Sequence, residues 1–187
     1  NLNIQLVLDE PRAFTGFKAR LVNFTNVRNY LALVGPECKE LDGILGYYGE
    51  QLVLLAQSLG LNSCWVGGTF KVVNRAYNVD LGQKLAAVVA LGYGATQGVP
   101  HRSKAPQEVA PGYDGAPEWF KRGVDAALLA PTALNQQKFS FSLDGEENDV
   151  PVVRASTKRG AFTQMDLGIA QCHFEIGAGN ALYRWAE

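Results

Sequence analysis

Runs of apolar residues broken by Gly, Pro and Asn sort this chain into short strands and a few helices. Residues 4–8 read as a short strand, followed by a long irregular connection from Pro11 to Arg28 rich in Phe and Asn. Asn29-Tyr-Leu-Ala-Leu-Val34 reads as a second strand, stopped by Gly35-Pro36. A helix is predicted from Leu41 to Leu59, because Leu45, Tyr48, Leu52, Leu55 and Leu59 recur at three and four residues and Gly60 stands as a C-cap. Ser63–Val66 and Lys84–Leu91 read as strands, and the second is apolar almost throughout, which predicts a central strand buried on both faces. A Pro/Gly-rich linker runs from Gly98 to Gly115.

Beyond it, Pro117 occupies an N1-like position for a helix over Trp119–Ala130, with Phe120, Val124, Ala127 and Leu128 on one side and Pro131 ending it. Strand 138–143, a turn at Asp144-Gly145, strand 150–155 and a helix from Asp166 to Ile176 stopped by Gly177 complete the pattern.

The second half echoes the first. Leu134-Asn135-Gln136-Gln137 leads into a strand-like segment, as Leu2-Asn3-Ile4-Gln5 does, and each segment ends in an acidic turn. Leu167–Gly177 also aligns with Glu50–Gly60 without a gap. An internal duplication in two copies accounts for both echoes; chance likeness of two αβ pieces is the alternative.

Composition narrows the class. With 187 residues, 47% hydrophobic and 19% charged, the chain can bury a core and is neither disordered nor membranous. A net charge of -1 gives no reason to expect nucleic acid or an anionic membrane as partner. Three cysteines form no paired motif, which points to a reducing compartment, the cytoplasm. His101 and His173 have no ligand-spaced partners, so no metal site is expected. The chain opens on Asn1 with neither an initiator Met nor a targeting segment, and it reads as lacking its head.

Few motifs carry chemistry. Gly92-Tyr-Gly94-Ala-Thr-Gln-Gly98 follows a strand but has the spacing GxGxxxG, and the residues after it cannot open a helix, which excludes a Rossmann site. His101-Arg102-Ser103-Lys104 places two cations around a serine beyond a buried strand, suited either to a phosphate or to a solvated loop. Trp65-Val66-Gly67-Gly68 leaves a strand with two glycines, suited to a flat ligand approaching the backbone or to a tight turn.

Taken together, three segments resemble the nitroreductase family of flavoproteins. They are Ala130-Pro131-Thr132-Ala133-Leu134-Asn135-Gln136-Gln137, which is similar to the family's helix-end Pro-Ser-x-x-Asn-x-Gln, Leu59-Gly-Leu-Asn-Ser-Cys-Trp65-Val66-Gly67-Gly68, and Arg102-Ser103-Lys104. The resemblance covers essentially the whole chain and is nearest to the subgroup in which two repeats in one chain imitate a homodimer. It implies an α+β fold: one domain over 1–187, with repeat one at about 1–110 and repeat two at about 116–187, each a mostly antiparallel sheet with packed helices. The helix and the arginine-bearing leader of the first repeat would then precede Asn1.

The same resemblance implies FMN in a cleft between the repeats. Gly67 and Gly68 N–H groups, with Trp65 and Val66, would line the ring edge; Arg102 and Lys104 would hold the phosphate; Pro131, Thr132, Leu134 and Asn135 would reach the ring from the other repeat. Gly67 stands where many members carry an acidic residue. No catalytic side chain is implied, since the flavin carries the chemistry. The activity implied is electron transfer from NAD(P)H to a small-molecule acceptor, nitroaromatic or quinone-like, by a ping-pong mechanism in a monomer. A flavin-binding or degenerate repeat protein without turnover, or another flavin reaction on the same scaffold, is the alternative.

Overall fold

The computed structural model describes residues 2–17, 19, 22 and 24–186. Asn1, which precedes the first echo, and residues 18, 20, 21 and 23 of the irregular connection lie outside that set, as does residue 187. The chain divides into two compact units: one runs up to Val99, except that Gly46–Tyr48 group with the other, and the second runs from Pro100 onward. Both mix sheet and helix, as expected of a nitroreductase-like α+β fold. Among the described residues no helix is long and apolar enough to cross a membrane.

The first unit holds β1 (Asn3–Val7), β2 (Asn29–Pro36), helix α1 (Leu41–Ser58), β3 (Asn62–Val66) and β4 (Gln83–Gly92). Its sheet has the order β1-β2-β4-β3 with every neighbouring pair antiparallel. Register sets the core: Tyr30, Ala32, Val88 and Ala90 join Val7, Phe14 and Val66 in one buried cluster, while the intervening Leu31, Leu33, Ala87 and Val89 are buried as well. β4 is therefore interior and buried on both faces over its apolar centre, as its unbroken run of apolar residues requires.

α1 buries only part of the leucine stripe expected: Leu45 is buried and Leu52 half-buried, while the buried face turns away from the rest. Leu41, Leu45, Gly49, Glu50, Val53 and Ala56 are buried, whereas Tyr48 and Leu55 are 48% and 53% exposed and Leu59 is 65% exposed. The reason is close approach. A Cβ on Gly49 would sit 2.5 Å from Cη2 of Trp65 and 3.4 Å from Cδ1 of Leu33, so the sheet's side chains occupy the space that a larger residue would fill. Gly60 ends the helix as expected: at φ +80° it lets Gly60 N donate to Gln57 O (3.0 Å) and Leu61 N to Ala56 O (2.9 Å).

The second unit holds α2 (Pro106–Val109), α3 (Glu118–Ala127), a 3-10 turn (Ala133–Asn135), β5 (Phe139–Glu147), β6 (Val150–Thr157), α4 (Thr163–Ala178) and β7 (Arg184–Trp185). β5 and β6 are antiparallel, and β7 joins β6 in parallel. The hairpin turns at Asn148-Asp149, both at positive φ, and not at Asp144-Gly145. Two consecutive left-handed residues match the twist of the flanking strands; the Asp144-Gly145 segment becomes an irregularity in register instead, with Asp144 paired to Arg154.

Gly177 is likewise not a stop. α4 runs through it to Ala178, and a Cβ there would lie 2.3 Å from Arg122 O and 2.5 Å from Ala126 Cβ of α3. Gly123 of α3 meets the Phe174 ring of α4 in the same way, at 2.8 Å. These glycines let two helices touch backbone to side chain; Gly179, at φ +65°, ends α4.

Candidate functional site

Residues 101–104 and 131–137 are joined by a buried glutamine. Gln137 is 2% exposed and all of its polar groups are engaged. Its side-chain Nε2 donates to Arg102 O (2.9 Å) and to Asn135 Oδ1 (2.8 Å), and its Oε1 accepts from Lys104 N (2.9 Å). Its carbonyl accepts from Lys104 Nζ (2.6 Å), and its own N–H donates to Thr132 Oγ1 (3.1 Å). Asn135 Nδ2 adds a second bond to Arg102 O (2.9 Å). His101 Nε2 and Ser103 Oγ meet Leu128 O, just past the end of α3, at 2.9 and 3.1 Å, satisfying a carbonyl that the helix leaves open.

This clamp holds strained backbone. Leu134, Asn135 and Gln137 sit at φ +52°, +52° and +42°, a region that costs non-glycine residues about 1–3 kcal/mol each. Leu134 is fully exposed, so an apolar side chain is held outward on a fixed loop with nothing of its own unit covering it.

Asp166, in the first turn of α4, supports the loop from beneath. It is buried, its Oδ1 accepts from Ala133 N (3.0 Å) and its Oδ2 from Gln136 Nε2 (2.7 Å). Burial pushes its carboxyl above the ordinary aspartate value, and those two hydrogen bonds oppose the rise. Gln136 Nε2 also donates to Ala161 O (2.9 Å), tying the loop to the segment before α4.

The structure thus brings Arg102, Lys104, Thr132 and Asn135 into one hydrogen-bonded assembly that Pro131 and Leu134 complete along the chain. The assembly lies wholly in the second unit, although the sequence reading gives 101–104 to the first repeat. The Arg102 side chain is exposed, whereas Lys104 is half-buried with its ammonium on Gln137 O.

Trp65, Val66, Gly67 and Gly68 lie in the first unit. Val66 is part of the core. Trp65 lays its ring against Gly49 and donates Nε1–H to Glu50 Oε2 (2.8 Å). Both side chains are committed within their own unit, which leaves Gly67, half-buried, and Gly68, exposed, to present backbone at the end of β3.

Sequence reasoning missed the anchoring roles of Gln137, Asp166 and Glu50. Glu50 carried a signal, a carboxylate flanked by Gly49 and Leu52-Val53 in the middle of an apolar helix; the roles of Gln137 and Asp166 emerge only when loop and helix meet. Among the described residues no group of His, Cys, Asp or Glu could hold a metal ion.

Over residues 1–178 the chain matches the family described as "Putative TM nitroreductase". It belongs to that family. The fold of this nitroreductase-family chain is similar to a crystal structure of a "putative nitroreductase" from Thermotoga maritima, with a TM-score of 0.66 and 19% sequence identity, covering 95% of this chain and 65% of that one. The chain therefore spans 65% of the length of that relative. No curated protein matches it.

Proposed function

We propose that this nitroreductase-family chain is an FMN-dependent oxidoreductase passing electrons from NAD(P)H to nitroaromatic or quinone-like acceptors by a ping-pong mechanism. The observation that carries the reading is the clamped, strained segment 131–137, locked to the basic loop 101–104 through Gln137. Strain persists where surrounding structure over-determines it, and that is characteristic of binding sites.

The residues present fit the group. Arg102 offers an exposed guanidinium on a backbone fixed by two bonds to its carbonyl, suited to bidentate contact with a phosphate. Lys104 has donors beyond the one it gives to Gln137 O. Leu134 offers apolar surface and Asn135 a polar edge, with Pro131 and Thr132 shaping the entry to the loop; Gly67 and Gly68, with the backbone of Trp65 and Val66, offer N–H groups without side-chain obstruction. When bound, FMN would supply the two-electron redox chemistry. The protein's part is to hold, orient and keep water from the ring.

We further read the two units as copies of one repeat, at about 1–110 and 116–187, in a monomer that carries one FMN and works in the cytoplasm. Supporting this, each unit runs an antiparallel strand pair, then a helix, then a strand, and none of the three cysteines is in a disulfide. Flavin released from purified protein, measured against protein and solution mass, tests the stoichiometry. Anaerobic bleaching of the bound flavin by NADH or NADPH, then reoxidation by a nitroaromatic or a quinone, tests turnover. Protein that takes up no FMN, or whose FMN is not bleached, rules the proposal out.

A further inference from the structure

The carboxylate of Glu50 is 1% exposed in the middle of α1. A charge-bearing group so placed is costly unless it is hydrogen-bonded. Among its contacts is the indole N–H of Trp65, at 2.8 Å. Gly49 is the neighbouring residue on the helix, and its missing side chain makes room for the six-membered edge of the same indole. Helix α1 therefore holds Trp65 in two ways at once, by a seat and by an acceptor.

Trp65 is next to last in β3, and after Val66 the chain bends through Gly67 and Gly68. Two glycines leave that bend with the least intrinsic stiffness available to a backbone. Its position is set from both flanks: beyond it Lys71 N donates to Ala13 O (2.8 Å) and Phe70 and Val73 pack on the core, and before it stands the end of β3. Val66 contributes by packing in the core cluster; the directional restraint comes from Trp65, because a hydrogen bond to a buried acceptor fixes rotation as well as depth.

The second unit uses the same pairing elsewhere. Trp185 of β7 donates Nε1–H to Glu175 Oε1 of α4 at 2.8 Å. In the gapless alignment of the helices Glu50 faces Leu167 and Glu175 faces Ser58, so the two carboxylates are not matched positions. In each unit the pairing joins a helix to the strand that follows it.

We infer that Glu50 is a positioning residue that acts through the Trp65 indole to fix the Gly67-Gly68 backbone for its ligand. The inference rests on the FMN reading for the identity of that ligand, but the restraint itself can be measured without it.

The test compares Glu50→Gln, Glu50→Ala, Trp65→Phe and the double variant Glu50→Ala/Trp65→Phe. Gln keeps an oxygen acceptor, whereas Phe loses both the indole N–H and the six-membered edge that Gly49 seats. Backbone amide order parameters at Gly67 and Gly68, read by NMR relaxation in the absence of flavin, are expected to fall from about 0.85 towards about 0.6 in Glu50→Ala and in Trp65→Phe. The double variant should be no more mobile than Trp65→Phe alone, because that substitution already removes both restraints. Glu50→Gln should match the parent. FMN titration of the same proteins should give dissociation constants raised about tenfold in the same variants, as loss of one hydrogen bond to a charged group implies, and restored in Glu50→Gln. Unchanged order parameters at both glycines in Trp65→Phe overturn the inference, as does additive behaviour in the double variant. A parent protein that binds no FMN while the mobility pattern holds overturns the cofactor reading and leaves the restraint standing.

Discussion

Lys104 and Gln137 bond to each other twice, backbone N–H to side-chain oxygen at 2.9 Å and ammonium to backbone carbonyl at 2.6 Å. The lysine is thus part of the scaffold, whereas Arg102, beside it, spends only its carbonyl there. The two cations should therefore fail differently. Arg102→Ala should weaken FMN binding by about 1.5–3 kcal/mol and leave stability within about 0.5 kcal/mol. Lys104→Ala should lower both affinity and stability. Paired FMN titrations and urea unfolding separate them, and equal stability loss in the two variants would contradict the assignment.

Leu134 should show a conflict between stability and binding. It is fully exposed at φ +52°, so glycine there relieves backbone strain without losing packing within its own unit. Leu134→Gly should unfold at higher urea, gaining about 1 kcal/mol, while binding FMN more weakly. A variant that is less stable than the parent would show that the leucine is covered in solution.

Asp166 gives a pH signature. Burial raises its carboxyl above the ordinary value of 3.8, so the folded chain holds that proton more tightly than the unfolded one. The associated stability is greatest below 3.8 and is lost as pH rises through the folded value. Asp166→Asn cannot titrate. It should lose a roughly constant amount, about 1 kcal/mol, for the mismatch with Gln136, and from 3.8 upward its deficit against the parent should narrow. Urea midpoints over an acid-to-neutral pH series check this; a deficit that does not change with pH would mean that the carboxyl is not perturbed.

The helix glycines offer a fourth test. A side chain at Gly177 meets the backbone oxygen of Arg122 at 2.3 Å, which cannot give way cheaply, so Gly177→Ala should cost about 1–3 kcal/mol by forcing α3 and α4 apart. Gly60→Ala meets open space, and its cost is the left-handed backbone alone, about 1 kcal/mol. Thermal unfolding of both variants ranks them.

Much of this was legible beforehand. The β4 run predicted a doubly buried strand, and Gly60 ended α1, because burial and capping are local consequences of sequence. The two glycines at the ends of the aligned helices look alike in sequence, yet Gly60 caps and Gly177 crosses. Only the presence of Arg122 and Ala126 distinguishes them. The face of α1 was partly misread for a related reason: leucines mark an apolar stripe, but the sheet selected the side where Gly49 admits the Trp65 ring. Among site residues, the motif from Pro131 to Gln137 was visible as a pattern, while the roles of Gln137 and Asp166 depend on two loops and a helix that sequence spacing does not bring together.

The crossing of α3 and α4 has a mechanical consequence. The segment 131–137 leaves from the end of α3 and is held by Asp166 at the start of α4, so it spans two supports whose spacing is set where Gly177 meets Arg122 and Gly123 meets Phe174. Any slippage of one helix along the other would be converted into twist at Leu134 and Asn135, whose backbones are already far from their preferred angles. Mutations at that distant junction, touching no residue assigned to the ligand, would detune the loop in proportion to how far they move its supports.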